Sequence, residues 1–125
     1  MNRFEQRAKD NQKAGCTVME GRDKIAIEDL ITDYPDFITV DEVGYIPDEN
    51  GENIPVLHCK EAENYFFFGG KVLKELVDDW VAEFGQGDTA VCTEELQKDG
   101  GCKMKLFRKK AKKGGKVYTG YEIVE

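Results

Sequence analysis

The chain has 125 residues, 34% of them charged, and carries a net charge of −7. That length suits one domain with a modest core, and an acidic whole excludes the all-over nucleic-acid binding of a histone-like protein. No stretch approaches the ~18 apolar residues of a membrane span, and the start, MNRFEQRAKDNQKAGC, has no apolar run of a signal peptide, so the expectation is a cytoplasmic protein with no membrane partner.

The charge is unevenly spread. Residues 1–102 hold 10 basic and 23 acidic groups, a balance of −13, whereas residues 103–125 hold 8 basic and 2 acidic groups, a balance of +6. All eight cations of that last segment lie between Lys103 and Lys116, with no acid among them. Screening limits repulsion from distant acids to roughly 10 Å at moderate salt, so a local basic site can coexist with an acidic body.

In chain order, residues 1–24 are polar and read as a flexible N-terminal arm or a frayed helix, leaving residues 25–125 as a single domain. KIAIEDLI is ordered but ambiguous between a helical turn and a strand. Phe37 to Ile46 reads as a strand, Asp48 to Gly51 as a turn, and Ile54 to Cys59 as the returning strand. Tyr65-Phe66-Phe67-Phe68 is a third strand, apolar enough to be buried on both faces.

After Gly69-Gly70, KVLKELVDDWVAEF repeats Val72, Leu73, Leu76, Val77, Trp80, Val81 and Phe84 at helical spacing, with Asp78 and Asp79 on the solvated side. Gly85 stands at the C-cap. A short helix follows from about Thr89 to Lys98, with Asp88 as cap and Gly100-Gly101 as stop. The last segment is a hairpin around a two-residue Gly114-Gly115 turn. That turn sets Lys113 opposite Lys116, Leu106 opposite Ile123 and Arg108 opposite Tyr121. One face then holds Met104, Leu106, Tyr121 and Ile123 as core, and the other Lys103, Lys105, Phe107, Lys109 and Tyr118.

The order β-β-β-α-β-β, mostly β with one main helix, predicts a five-stranded OB-like, partly open barrel, a form of β-rich α+β architecture. A flat α+β sheet with one helix on its face would give the same order.

YFFFGGKVLKELVDDW, followed by a Gly-rich break and the basic final hairpin, resembles small single-stranded-DNA-binding-type proteins of phages and mobile elements in Gram-positive bacteria. The similar part runs from about Ile25 to Val124. The resemblance implies an OB-like barrel and single-strand binding, and assigns no residue-level roles.

The residues of the hairpin point the same way. Single-strand binders combine a cationic groove with exposed aromatics on which bases stack. The candidate set is Lys103, Lys105, Phe107, Arg108, Lys109, Lys110, Lys112, Lys113, Lys116 and Tyr118. Lysine suits backbone neutralisation rather than bidentate base reading, so the partner is single-stranded DNA or RNA bound with weak sequence preference. The alternative is a protein-interaction or scaffold module of a phage or mobile element, with the lysines as a solvated edge that blocks aggregation. The basic segment also complements the −13 of the rest, within one molecule or between two, which leaves a homo-oligomer open.

Nothing in the chain suggests an enzyme, a cofactor or a metal. His58, the one histidine, sits mid-strand beside the core, and Cys16, Cys59, Cys92 and Cys102 form no CxxC pair.

Overall fold

The computed structural model describes residues 3, 4 and 17–125. Five strands carry the fold: β2 (Ile38–Pro47), β3 (Asn53–Cys59), β4 (Tyr65–Phe68), β5 (Cys102–Lys110) and β6 (Val117–Ile123). A sixth, β1 (Asp23–Lys24), runs parallel to β4 at the sheet edge. Among residues 17–125, three α-helices accompany them: α1 (Ile27–Asp33), α2 (Lys71–Phe84) and α3 (Thr89–Lys98). The architecture is α+β, a mixed open sheet in the order β1-β4-β3-β2-β5-β6. The five expected strands thus become six, because the ambiguous KIAIEDLI region divides. Asp23-Lys24 joins the sheet, and Ile27, Leu30 and Ile31 wind into a helix whose first turn carries Glu28 and Asp29, favourable at its positive end.

β2 is the hub. It pairs antiparallel with β3 on one side and β5 on the other. Its register shifts between Val40 and Glu42, so Asp41 is the extra residue of a bulge. Ile38 to Val40 pair with β5, Glu42 to Pro47 pair with β3, and Val40 is shared, paired with Cys102 on one side and Cys59 on the other.

Alternation sorts the side chains. Ile38, Val40, Val43, Leu57, Cys59, Phe67, Met104 and Leu106 form the core face, and the helices lie on it. From α2 come Leu73, Val77 and Val81, from α1 Leu30, and from α3 Cys92. The boundaries of α2 and α3 match the sequence. Gly85 N–H donates to the Val81 carbonyl at 3.1 Å, and Asp88 accepts from Ala90 N–H at 2.8 Å. Thr93 then ties α3 to β2, its hydroxyl accepting from Val43 N–H at 3.1 Å and donating to Val43 O at 3.2 Å.

Two expectations for α2 are corrected. Phe84 is 53% exposed and Trp80 only half-buried, both lining a groove beside α3 and β6. Asp78 is not simply solvated: it accepts from the Tyr45 hydroxyl and from Lys74 Nζ.

The opposite face of the sheet is covered on its β3–β4 side. Val18, 3% exposed, packs with Val56 and Phe66 beside Met19, Ile46 and Phe68. Residues 17–24, expected as part of the arm over residues 1–24, contain packed side chains and β1. Residues 1, 2 and 5–16 lie outside the described residues. Among the described residues no helix is long and apolar enough to cross a membrane.

Two stability differences follow. Val18→Ala should cost roughly 2 kcal/mol in urea denaturation, the transfer value of two buried methyl groups; an unchanged midpoint would place the 17–21 turn off the sheet. Leu73→Ala should cost about 2–5 kcal/mol, whereas Phe84→Ala should stay within about 0.5 kcal/mol.

Candidate nucleic-acid interface

Strand β5 reads Cys-Lys-Met-Lys-Leu-Phe-Arg-Lys-Lys, and its alternation puts Met104 and Leu106 inward. Lys103, Lys105, Phe107 and Lys109 therefore point to the opposite face. The turn differs from the expected one. It uses four residues, Lys112 to Gly115, and Ala111 N–H closes it on Lys116 O at 2.8 Å. Both glycines take positive φ, +79° at Gly114 and +64° at Gly115, which a four-residue turn accommodates as well as a two-residue one. The pairing is consequently Leu106 with Tyr121 and Arg108 with Thr119, in place of Leu106 with Ile123 and Arg108 with Tyr121. The slip is by two residues, so every side chain keeps its face.

The outward face gathers three aromatic side chains. Phe107 is half-buried above Gly120, its register partner on β6. A Cβ at residue 120 would lie 2.5 Å from the Phe107 ring, so glycine is what lets the ring settle onto the strand. Tyr118 faces Lys109 across the hairpin and is 37% exposed. The third is Phe37, 36% exposed, with Lys103 Nζ 5.4 Å from its ring centroid in a cation–π contact. Phe37 is absent from the sequence-based set. It enters only through the pairing of Ile38 with Met104, and no local pattern announces a register between segments so far apart.

Of the candidate cations, Lys103, Lys105 and Lys109 are exposed on this face, and Lys112, Lys113 and Lys116 are exposed in the turn region beyond it. Arg108 leaves the set. It lies on the inward side, donating to Thr119 Oγ1 at 2.7 Å and pairing with Glu28 at 3.3 Å. Lys110 shares that parity, and its chain runs past Gly115. Among the described residues none of the seven lysines from 103 to 116 forms an ion pair with an acid. Glu122, opposite Lys105, is the acid paired directly into this face.

Toward the sheet centre the same face is closed by a polar network. His58, 3% exposed, has Nδ1 at 2.6 Å from Asp41 and Nε2 at 2.9 Å from the Glu63 carbonyl. Both nitrogens face acceptors, so the ring fills both bonds as a donor only when it holds both protons. Arg22 pairs with Glu42 at 2.5 Å and also donates to Val18 O. Glu61 accepts from the Thr39 backbone N–H at 2.5 Å and from its hydroxyl at 2.8 Å. Asp41, Glu42 and His58 could offer metal ligands within 4.8 Å of one another. Asp41 is held by His58, Glu42 by Arg22 and His58 by the Glu63 carbonyl, so a cation would have to displace a guanidinium. This arrangement is a structural clasp across the β2 bulge.

Elsewhere, Trp80, Phe84, Leu96 and Ile123 line a groove of about 350 Å³ with Glu95 and Asp99 at its border. Ile123, expected in the core, is 55% exposed there. Burial pushes the Cys59 thiol up to about 11 and raises those of Cys92 and Cys102 as well. None of the three is poised as a thiolate nucleophile. Comparison of the chain with protein-family models, with curated proteins and with solved structures finds no match.

Two measurements probe this geometry. Gly120→Ala should displace the Phe107 ring and cost about 1–3 kcal/mol, the range for overpacking, with Phe107→Leu recovering part of the loss. An unaltered Phe107 ring environment by NMR would contradict the contact. Burial alone would raise the Asp78 carboxyl, but the bonds from Lys74 and Tyr45 outweigh it and hold it below the usual carboxylate value. A depressed folded pKa contributes stability at neutral pH that is lost as pH falls below about 4. Tyr45→Phe should therefore flatten that part of the acid-unfolding curve.

Proposed function

We propose that this protein binds single-stranded nucleic acid, DNA or RNA, with weak sequence preference, through the outward face of β5 and β6 and the lysine-rich turn between them. The observation that carries the reading is the conjunction on one face: Lys103, Lys105 and Lys109 alternate with a settled, half-exposed Phe107, beside Phe37 and Tyr118. An edge that serves only to block aggregation needs the lysines and has no use for the aromatics. Lysines supply phosphate neutralisation without base-specific geometry. Aromatic faces accept any base.

The strand pairing supports an OB-like reading of the architecture. The first long strand pairs with its hairpin partner and with the strand that follows the helices, and α2 lies on the core. The site includes a turn between the last two strands, one of the positions at which OB folds contact oligonucleotides.

Fluorescence-anisotropy titrations against single- and double-stranded oligonucleotides at several salt concentrations test the proposal. The log–log slope should be about −0.7 per lysine–phosphate contact for single strands. Reversing Lys109, Lys110, Lys112 and Lys113 to Glu should weaken binding to all sequences alike and flatten the slope. Unchanged affinity in that variant, or no affinity at low salt, would leave the lysines as a solvated edge.

A further inference from the structure

The three outward-facing aromatics are not scattered. Phe107 lies on β5, the middle of three neighbouring strands. Tyr118 on β6 pairs with Lys109, two residues further along β5. Phe37 directly precedes Ile38, which pairs with Met104, and continuing that register sets it level with Lys105, two residues back along β5 from Phe107. From Phe37 to Phe107 to Tyr118, each step moves one strand across and two residues along. All three share the outward face by parity, and a cation accompanies each end of the row. Lys103 lies on the Phe37 ring, and Lys109 stands opposite Tyr118.

We infer that Phe37, Phe107 and Tyr118 form a diagonal stacking ladder that takes three bases of one extended, unstacked strand, and that Phe37 is a base-binding residue. The inference rests on the single-strand reading of this face and adds the path, the footprint and a preference among strands.

The spacing carries the argument. Two residues of strand advance about 7 Å and a neighbouring strand is about 4.8 Å away, so successive rungs are about 8 Å apart. Nucleotides in a stacked strand rise about 3.4 Å each. Neighbouring bases that remain stacked on each other cannot also occupy neighbouring rungs. A strand must give up base–base stacking to gain base–aromatic stacking. Oligo(dT), whose bases stack weakly, loses little by this. Oligo(dA), whose purines stack well, loses more. A duplex, whose bases are fully stacked and paired, is excluded from the ladder. The preference arises from strand flexibility rather than from hydrogen-bond reading.

Lys105 sits between the first two rungs, and its partner across the hairpin is Glu122. That acid limits the positive potential at the middle of the row and leaves the cations concentrated at its ends.

The test uses the full chain and fluorescence anisotropy with oligo(dT) and oligo(dA) of equal length. Phe37→Ala should weaken oligo(dT) binding about tenfold, within the range for one lost base–aromatic contact, and leave the salt slope unchanged because stacking releases no counterions. Phe37→Leu, which keeps apolar bulk without a ring, should lose nearly as much, and Phe37→Trp should retain affinity. Thermal melting of each variant separates lost binding from lost folding. Oligo(dT) should bind more tightly than oligo(dA). If the wild-type chain binds and the lysine reversals weaken it, but the Phe37 variants stay within about twofold of wild type, the ladder is overturned and the basic-face reading stands. Equal affinity for the two homopolymers would overturn the unstacking argument in the same way. Absence of any binding by the wild-type chain overturns both.

Discussion

Alternation in β5 is the constraint on which the rest depends. Met104 is fully buried and Leu106 nearly so, and a strand cannot bury those two without turning Lys103, Lys105, Phe107 and Lys109 the other way. The core and the basic face are thus one event. A single-residue slip would bring lysines into an apolar layer, where an unpaired charge costs several kcal/mol. The two-residue difference in the turn costs nothing of this kind. The face is therefore protected by the core against the errors of register that would destroy it, and tolerant of the turn length that sets how far the lysines project.

The helices and the sorting of faces were legible because their signals are local. Gly85 and Asp88 mark the ends of α2 and α3, and the structure uses both as caps. The hairpin faces were legible through parity, even though the turn was not: Gly114-Gly115 fits the end of a four-residue turn as readily as a two-residue one. What escaped depends on distant partners. β1 is two residues long and parallel to β4, too short to show any period. Val18 lies in a polar stretch, and only the Val56–Phe66 surface beneath it explains its burial. Phe37 belongs to the outward face through β2–β5 pairing across more than sixty residues of chain. Arg108 was readable in principle, since its even position in β5 already places it with Met104 and Leu106.

The buried polar network has a positional consequence. β2 is bulged at Asp41, and a bulge leaves a residue without a ladder partner. Here Asp41 is engaged by His58, and neighbouring Glu42 by Arg22. Glu61 holds Thr39, the β2 residue paired with Lys103. The start of the basic face is thus flanked, on the same side of the sheet, by carboxylates that are already occupied. They are spent on internal donors and do not reach out to pair with the lysines.

That division bears on how an acidic chain can hold a polyanion. The balance of −13 over residues 1–102 repels phosphates wherever a strand leaves the basic face. At about 0.1 M salt this repulsion reaches roughly 10 Å, little more than one rung of the aromatic row. A short run of unpaired nucleotides can lie within the +6 segment, whereas a longer contact would bring phosphate over acid. A duplex fares worse, since it presents one charge per about 1.7 Å against one per about 3.4 Å for a single strand. In the proposed mode the acidic body is part of the selectivity: it confines binding to a short footprint and weighs against double-stranded competitors that the lysines alone would attract.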